Sequence, residues 1–512
     1  MTTTNNQPND YTRRTLHGRG ICVVIPTYNN VGSIRRVVTE VQAYCNDIIV
    51  VNDGSDDGTA DILKSIKDIT LVSYPKNRGK GYALKQGFTR ALQLGFAYAI
   101  TMDADGQHSA TDIPAFLGAN KQWPGSLILG NRNKGNIVRS KGSNFANSFS
   151  NFWFCVQTFH HLPDTQTGFR LYPLKKLYGY QLITSRYEAE LELLVFASWN
   201  GVAIHSIPVN VYYPPKEERV SHFRPGLDFT RISILNTCLC FLAIIYGLPA
   251  FLLRTIAKAI RTLTTFLMLF VVVLIFWPTL FLYTHIRTMN DHRRWHLHLL
   301  MYRVMRLMTI KVGIPGAKFQ FKAIKTDDFD EPSIIICNHQ SHLDLLCLLA
   351  MTPKIVFLTN DWVWHSPIFG FLIHNAEYYP ASDGIDNILP HFHSLISRGY
   401  SIAIFPEGTR SADCKVARFH QGAFYAAEKL GIGIKTILLY GTGRVLPKKK
   451  HTVSRSPVYI EVGKSYSPDE LKQIGEPRQQ AKFFHHLYLD WFEKVANKIE
   501  QNVYPALRAH LQ

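Results

Sequence analysis

Two stretches near the middle of this chain, "ILNTCLCFLAIIYGLPAFLL" at 234–253 and "TFLMLFVVVLIFWPTLFLYTH" at 265–285, contain no charged residue. A water-soluble fold would have to bury both, whereas a bilayer accepts a helix of about 20 apolar residues as it stands. The second run has that length, with Pro278 as a kink point, and the first is interrupted by "GLP" at 247–249. Membrane-associated helices are therefore the expectation for 231–290, and globular structure must lie on either side. Arg254, Lys258 and Arg261 separate the runs, with Arg231 ahead and Arg287, Arg293 and Arg294 behind. A full crossing by the first run would put the basic linker outside, against the positive-inside tendency. Re-entrant or interfacial helices satisfy it, with every basic cluster on the cytoplasmic side against anionic head groups.

The two flanks share a pattern. From Ile21 to Tyr213, "ICVVIPTY", "DIIVVND", "ITLVSY", "YAITMDAD" and "SLILGNR" read as strands separated by helical stretches such as "GKGYALKQGFTRALQLG". That alternation predicts a mostly parallel, doubly wound α/β sheet with ligands at the carboxyl ends of its strands. After about residue 315 it resumes with "SIIIC", "IVFLT", "SIAIF" and "IKTILLY", predicting a second α/β unit with a helical tail near 479–500. At 512 residues the chain has room for both. The polar opening "MTTTNNQPNDYTRR", within 1–20, reads as a disordered lead-in. A formal charge of +18 asks for an anionic partner, a membrane surface or a phosphorylated substrate. Nucleic acid is disfavoured, because no basic–aromatic tract or recognition-helix pattern occurs. The eight cysteines form no C-x-x-C pair, which disfavours a zinc or redox site and suits a reducing compartment.

In "TMDADGQH", Asp103 and Asp105 stand two apart at the end of a predicted strand. Two carboxylates so close need a cation or hydrogen-bond donors, and a hard divalent ion (Mg2+ or Mn2+) bridging them to a diphosphate supplies one. Pro26 and Thr27 end the first strand, Asp53 ends the second, and "NRGKGYALKQG" sets Arg78 and Lys80 in a glycine-rich loop suited to phosphate oxygens. Together with "LGNR", "DTQTGFR" and "PVNVYYPPKEERVSHFRP", these motifs make residues 21–230 resemble a family 2 glycosyltransferase of the GT-A fold, in the dolichol-phosphate mannosyltransferase-like branch. The resemblance implies that Pro26, Thr27 and Asp53 contact the nucleotide and that Asp103 and Asp105 carry the metal and diphosphate. It also implies that Lys80, Arg132, Asp164 and Arg170 line the pocket and that Arg219, Ser221 and His222 meet phosphate. Asn52 stands where many relatives have a second aspartate, and "SHF" replaces their Ser-Lys pair. No Q-x-x-R-W motif follows, which favours single addition over polymer synthesis. Transfer to a hydroxyl needs a general base. "RYEAELELL" offers Glu188, Glu190 and Glu192, of which Glu190 is the candidate and the others are expected to be solvated.

The second flank contains "NHQSHLD" at 338–344. His339, His342 and Asp344 could be three metal ligands, or one histidine and the aspartate could be a catalytic pair; His365, His374, His391 and His393 add no recognisable ligand spacing. A pair requires an imidazole near a hydroxyl, held in its tautomer by a carboxylate. "FPEGTRS" at 405–411 decides, because the two motifs together resemble the glycerol-3-phosphate and lysophosphatidate (PlsC-like) acyltransferases, within 291–512. The resemblance implies that His339 is the base and Asp344 its orienting partner, with Glu407, Gly408, Thr409 and Arg410 on the acceptor. His342 becomes a packing or helix-entry residue, and no cofactor is implied. "NAEYYPASDG" lacks the arginine with which relatives bind the acceptor phosphate, and "GIKTILLYG" lacks their proline. That turns the expectation from glycerol phosphate toward a glycolipid or another lipid hydroxyl, with Lys415 and Arg418 as substitute cations.

The expected protein is a bifunctional membrane-associated enzyme, both catalytic domains facing the cytoplasm, in the manner of a bacterial inner-membrane protein. It would take a nucleotide-sugar, an acyl-CoA or acyl carrier protein, and a lipid acceptor, with no nucleic acid. The alternatives are a polyprenyl-phosphate glycosyltransferase whose second domain only docks to the membrane, and a non-catalytic scaffold.

Overall fold

Every residue of β1 (Ile21–Thr27) is buried, so this strand cannot lie at a water-facing edge. Ile21, Val23 and Ile25 enter one apolar cluster and Cys22 and Val24 the other, because successive side chains of a strand point to opposite faces. Around β1 the sheet is built from β2 (Ile48–Asp53), β3 (Thr70–Tyr74), β4 (Tyr98–Thr101), β5 (Leu127–Asn131), β6 (Arg170–Pro173) and β7 (Ile204–Pro208). Their order is β3-β2-β1-β4-β6-β5-β7, and only β6 runs antiparallel to its neighbours.

The computed structural model describes residues 7–132, 141–180, 182–212, 225–322 and 328–502. They form two units, Met1–Arg254 with Asn497–Gln512, and Thr255–Ala496. The second unit carries its own sheet. Its strands are β8 (Ala317–Lys322), β9 (Ile334–Cys337), β10 (Ile355–Thr359), β11 (Tyr379–Pro380), β12 (Ser401–Ile404), β13 (Ile434–Tyr440) and β14 (Ser456–Tyr466), in the order β11-β10-β12-β9-β13-β14-β8. The pairs β10–β12, β12–β9 and β9–β13 are parallel, while β13–β14 is antiparallel.

Two expectations are corrected. The opening segment is not wholly disordered: Gln7–Gly18 is a helix, and Leu16 is fully buried in the first core. Arg19, just after it, donates from Nε to Asn120 Oδ1 at 2.8 Å. The central runs are not two separate segments either. Phe229–His285 is one helix of 57 residues, long and apolar enough to cross a membrane, with only 6% of its most apolar window buried. The "GLP" interruption is absorbed by a π-helical turn at Ala243–Gly247, where the Leu248 amide donates to Ala243 O five residues back. Widening the turn reroutes the ladder just where Pro249 supplies no donor. Gly247 is required there, because a Cβ would come within 2.5 Å of Trp199 Nε1.

Candidate active sites

In the first unit, Asp103, Asp105 and Lys80 meet beyond the carboxyl ends of β4 and β3. Lys80, the first residue of helix Lys80–Gln93, reaches Asp103 Oδ1 at 2.7 Å and Glu190 Oε2 at 2.8 Å. Burial works against the Lys80 ammonium, but the two carboxylates outweigh it and hold its pKa above the ordinary lysine value. Burial likewise opposes ionisation of Asp103, and Lys80 overrides it, so Asp103 lies below the usual carboxylate range. At Asp105, burial and then the Asp103 charge outweigh Lys80 and Arg132 and push it up to about 6. His108, buried with its ring 5.1 Å from that of Phe169, is pushed down to about 4 by burial and stays neutral at pH 7.

Gly168, in "DTQTGFR", makes the cluster sterically feasible: a Cβ there would stand 2.2 Å from Asp103 Oδ2. Thr101 Oγ1 donates to Gly168 O at 2.7 Å and fixes the approach. Asp53 accepts from the Arg78 and Gly79 amides at 2.7 and 2.8 Å, so it anchors the glycine-rich loop at the end of β2. Thr27 is buried, its hydroxyl accepting from Asn30 Nδ2, and Pro26 lies beside Val51 of β2. Arg132 grips Asp164 bidentately at 2.7 and 2.9 Å, and Asp164 is fully buried.

Three expectations change here. Arg170 does not line an open pocket: it is 1% exposed, and its guanidinium donates to the carbonyls of Thr165, Thr167 and Glu190 and to the Tyr172 hydroxyl. Glu188, Glu190 and Glu192 are buried rather than solvated. Glu190 joins the Lys80 cluster, while Glu192 accepts from the amides of Ile183 and Thr184 and ties down that loop. Arg219, Ser221 and His222 lie outside the described residues. The roles of Gly168 and Glu192 were missed because neither residue type signals them. The only sequence cue was a glycine two residues before the strand that pairs with β4.

In the second unit the two motifs leave adjacent parallel strands, β9 and β12, so their loops meet. His339 Nδ1 lies 2.8 Å from Asp344 Oδ2, and the same oxygen accepts the amides of Gln340 at 2.6 Å and Ser341 at 2.8 Å. Asp344 sits in the first turn of helix Leu343–Leu349, fully buried. The Asp344 contact makes Nδ1 the donor and leaves Nε2 as the basic nitrogen. Phe405 stacks on the imidazole at 4.0 Å between centroids.

Glu407 lies differently from a residue waiting for an acceptor. Its Oε1 accepts the His339 amide at 2.9 Å and its Oε2 the Ala417 amide at 3.0 Å. The Ser411 amide donates to His339 O at 2.8 Å, closing a second tie between the loops. Burial pushes Glu407 up to about 7. Gly408 turns with φ +68°, a conformation that favours glycine, and Thr409 is exposed. Lys448, which sequence reading passed over in a basic run, donates to Thr409 Oγ1 at 3.0 Å and Arg410 O at 2.7 Å. Lys415 and Arg418 are exposed. His342 is exposed at the helix entry, its pKa lowered by partial burial and then by Arg410. The His339–Asp344 contact has the geometry of an imidazole oriented by a carboxylate.

Comparison with known proteins divides the chain in the same way. Residues 22–177 match the family model "Glycosyl transferase family 2" and residues 318–440 the family model "Acyltransferase". A UDP-N-acetylglucosamine–dolichyl-phosphate N-acetylglucosaminyltransferase of Methanococcus voltae is 29% identical over 216 residues, 38% of this chain and 86% of that protein. An uncharacterised protein of Methanocaldococcus jannaschii is 30% identical over 38% of this chain and 82% of its own length. A 1-acyl-sn-glycerol-3-phosphate acyltransferase of Chlamydomonas reinhardtii is 32% identical over 159 residues, 30% of this chain. The chain spans about half of that acyltransferase, 48% of its length.

Proposed function

Because residues 22–177 match the family 2 glycosyltransferases and residues 318–440 the acyltransferases, we propose that this chain is a bifunctional, membrane-associated lipid-modifying enzyme. One site transfers a sugar from a nucleotide-sugar to a lipid acceptor, and the other transfers an acyl chain from a thioester of coenzyme A or acyl carrier protein to a lipid or glycolipid hydroxyl. The observation that carries the reading is that both reactive clusters are assembled: Lys80 between Asp103 and Glu190, and His339 on Asp344. A retired domain or a scaffold has no physical need to bury an aspartate against an imidazole.

In the acyl site, His339 Nε2 takes the proton of the acceptor hydroxyl as its oxygen attacks the thioester carbonyl. The tetrahedral adduct collapses, the C–S bond breaks, and the thiolate recovers the proton from the imidazolium. Asp344 holds the tautomer and stabilises the transient cation, and Glu407 positions the base by gripping its backbone. In the sugar site, Asp103 and Asp105 are hard oxygen donors crowded enough to push one of them up to about 6, and they fit a divalent cation, which would neutralise the diphosphate when bound. Arg78 and Lys80, in the loop that Asp53 anchors, are the candidate groups for phosphate oxygens, and Glu190 is the candidate base for a hydroxyl acceptor. The dolichyl-phosphate acceptor named for the Methanococcus relative makes a polyprenyl lipid the first acceptor to try. The cytosolic origin of both donors favours a cytoplasmic orientation of both domains.

Mass spectrometry of total lipids from cells lacking the protein, complemented with wild type, Asp105→Ala or His339→Ala, tests the reading. His339→Ala should accumulate a lipid lighter by one acyl group, and Asp105→Ala one lacking the sugar. Full wild-type lipid from His339→Ala would remove the acyltransferase half.

A further inference from the structure

An apolar cavity of ≈ 260 Å³ runs beside helix Lys80–Gln93 in the first unit. Gly81, Leu84, Phe88 and Leu92 form one wall at helical spacing, and Leu177 and Leu193 face them across it. From Gly81 to Leu92 the helix rises about 17 Å at 1.5 Å per residue. One end lies a single residue from the reactive cluster on both sides, since Gly81 follows Lys80 and Ala189 precedes Glu190. Those two elements touch there: a Cβ on Gly81 would stand 2.3 Å from that of Ala189.

The other end lies toward helix Phe229–His285. Tyr180, in the cavity wall, has Tyr246 and Arg254 as electrostatic neighbours, and its ring lies 6.5 Å from Phe196. Trp199 then meets Tyr246 at 6.0 Å between rings, and Tyr246 donates to Asn200 Oδ1 at 2.8 Å. The apolar cavity thus lies between that helix, which Tyr180 neighbours, and the carboxylate cluster. Water gains nothing in such a cavity, and at ≈ 260 Å³ it has no room for both chains of a diacyl glycerolipid.

Resting on the sugar-transfer reading above, we infer that this cavity holds the single hydrocarbon chain of the lipid acceptor, threading it from the bilayer to the Lys80–Glu190 end. The head group then lies at Asp103 and Asp105 without leaving its chain in water.

The full-length protein in phosphatidylcholine vesicles, irradiated with a polyprenyl phosphate carrying a diazirine on its chain, tests this. Peptides from 84–92 and 177–193 should carry the label. Thr89→Trp, which fills the cavity from its half-buried wall, should cut that label at least tenfold, and Thr89→Val should leave it in place. Mn2+-dependent binding of UDP or GDP, whichever the wild type binds, checks that each variant is folded; Thr89→Asp replaces the tryptophan variant if that fails. Label confined to 229–285, or unchanged by both Thr89→Trp and Thr89→Asp, overturns the inference. A transfer assay in the same vesicles separates it from the reading on which it rests: no transfer of sugar from a nucleotide-sugar to the polyprenyl phosphate by the wild type would defeat that reading, whatever the label shows.

Discussion

At the scale of residues, the two sites hold their charges in opposite ways. Asp344 is fully buried with two amides and an imidazole on one oxygen, so its charge is committed to the dyad. Asp344→Asn should therefore keep the fold yet lower kcat for acyl transfer by roughly 10³-fold or more, because the wrong tautomer is presented; acyl-transfer assays against chain length check it. Asp105 is the reverse, a carboxylate pushed up to about 6 by burial and by Asp103. Its protonated form cannot ligate a cation, so divalent-dependent nucleotide binding should be full above that pH and fall about tenfold per pH unit below it. Calorimetric titration from pH 7.5 to 5 would show the fall; a flat profile would mean Asp105 is no ligand. Gly168→Ala should cost the same binding through the 2.2 Å approach to Asp103 and leave acyl transfer intact.

At the scale of elements, the strands that carry polar motifs on short apolar runs were legible: β1, β2, β4, β9 and β12 fall where "ICVVIPT", "IIVVND", "YAIT", "IIIC" and "SIAI" stand. The antiparallel members β6 and β14 were not. β6 begins at Arg170, whose charge hides a fully buried strand because its guanidinium is satisfied by backbone carbonyls that no local pattern announces. β14 includes Pro457 and Gly463, both strand-breaking signals, and stands only because β13 and β8 pair with it on either side. The dyad was readable because it is local, five residues apart. The part of Glu407 was not, because it depends on two loops meeting across adjacent strands. Glu407→Gln keeps one acceptor oxygen but strands the second amide, at a cost of about 1–3 kcal/mol. Thermal unfolding should register that loss, and kcat should fall with KM for the thioester little changed.

At the scale of the whole molecule, the helix Phe229–His285 exposes long apolar stretches on either side of Arg254, Lys258 and Arg261, and alkaline carbonate washing of cell membranes should leave the chain in the pellet. Release into the supernatant would mean that surface is covered by protein instead. Each sheet is completed by its own strands: β1 to β7 end at Pro208, ahead of the helix, and β8 to β14 begin at Ala317, behind it. Domains form as units during synthesis, the earlier one first. The ribosome therefore delivers a finished first sheet before this helix has left its tunnel, and the second sheet is still unmade at that point. The stretch apolar enough for a bilayer belongs to neither sheet, while its first turns, through Leu235 and Leu239, are already seated on the first core.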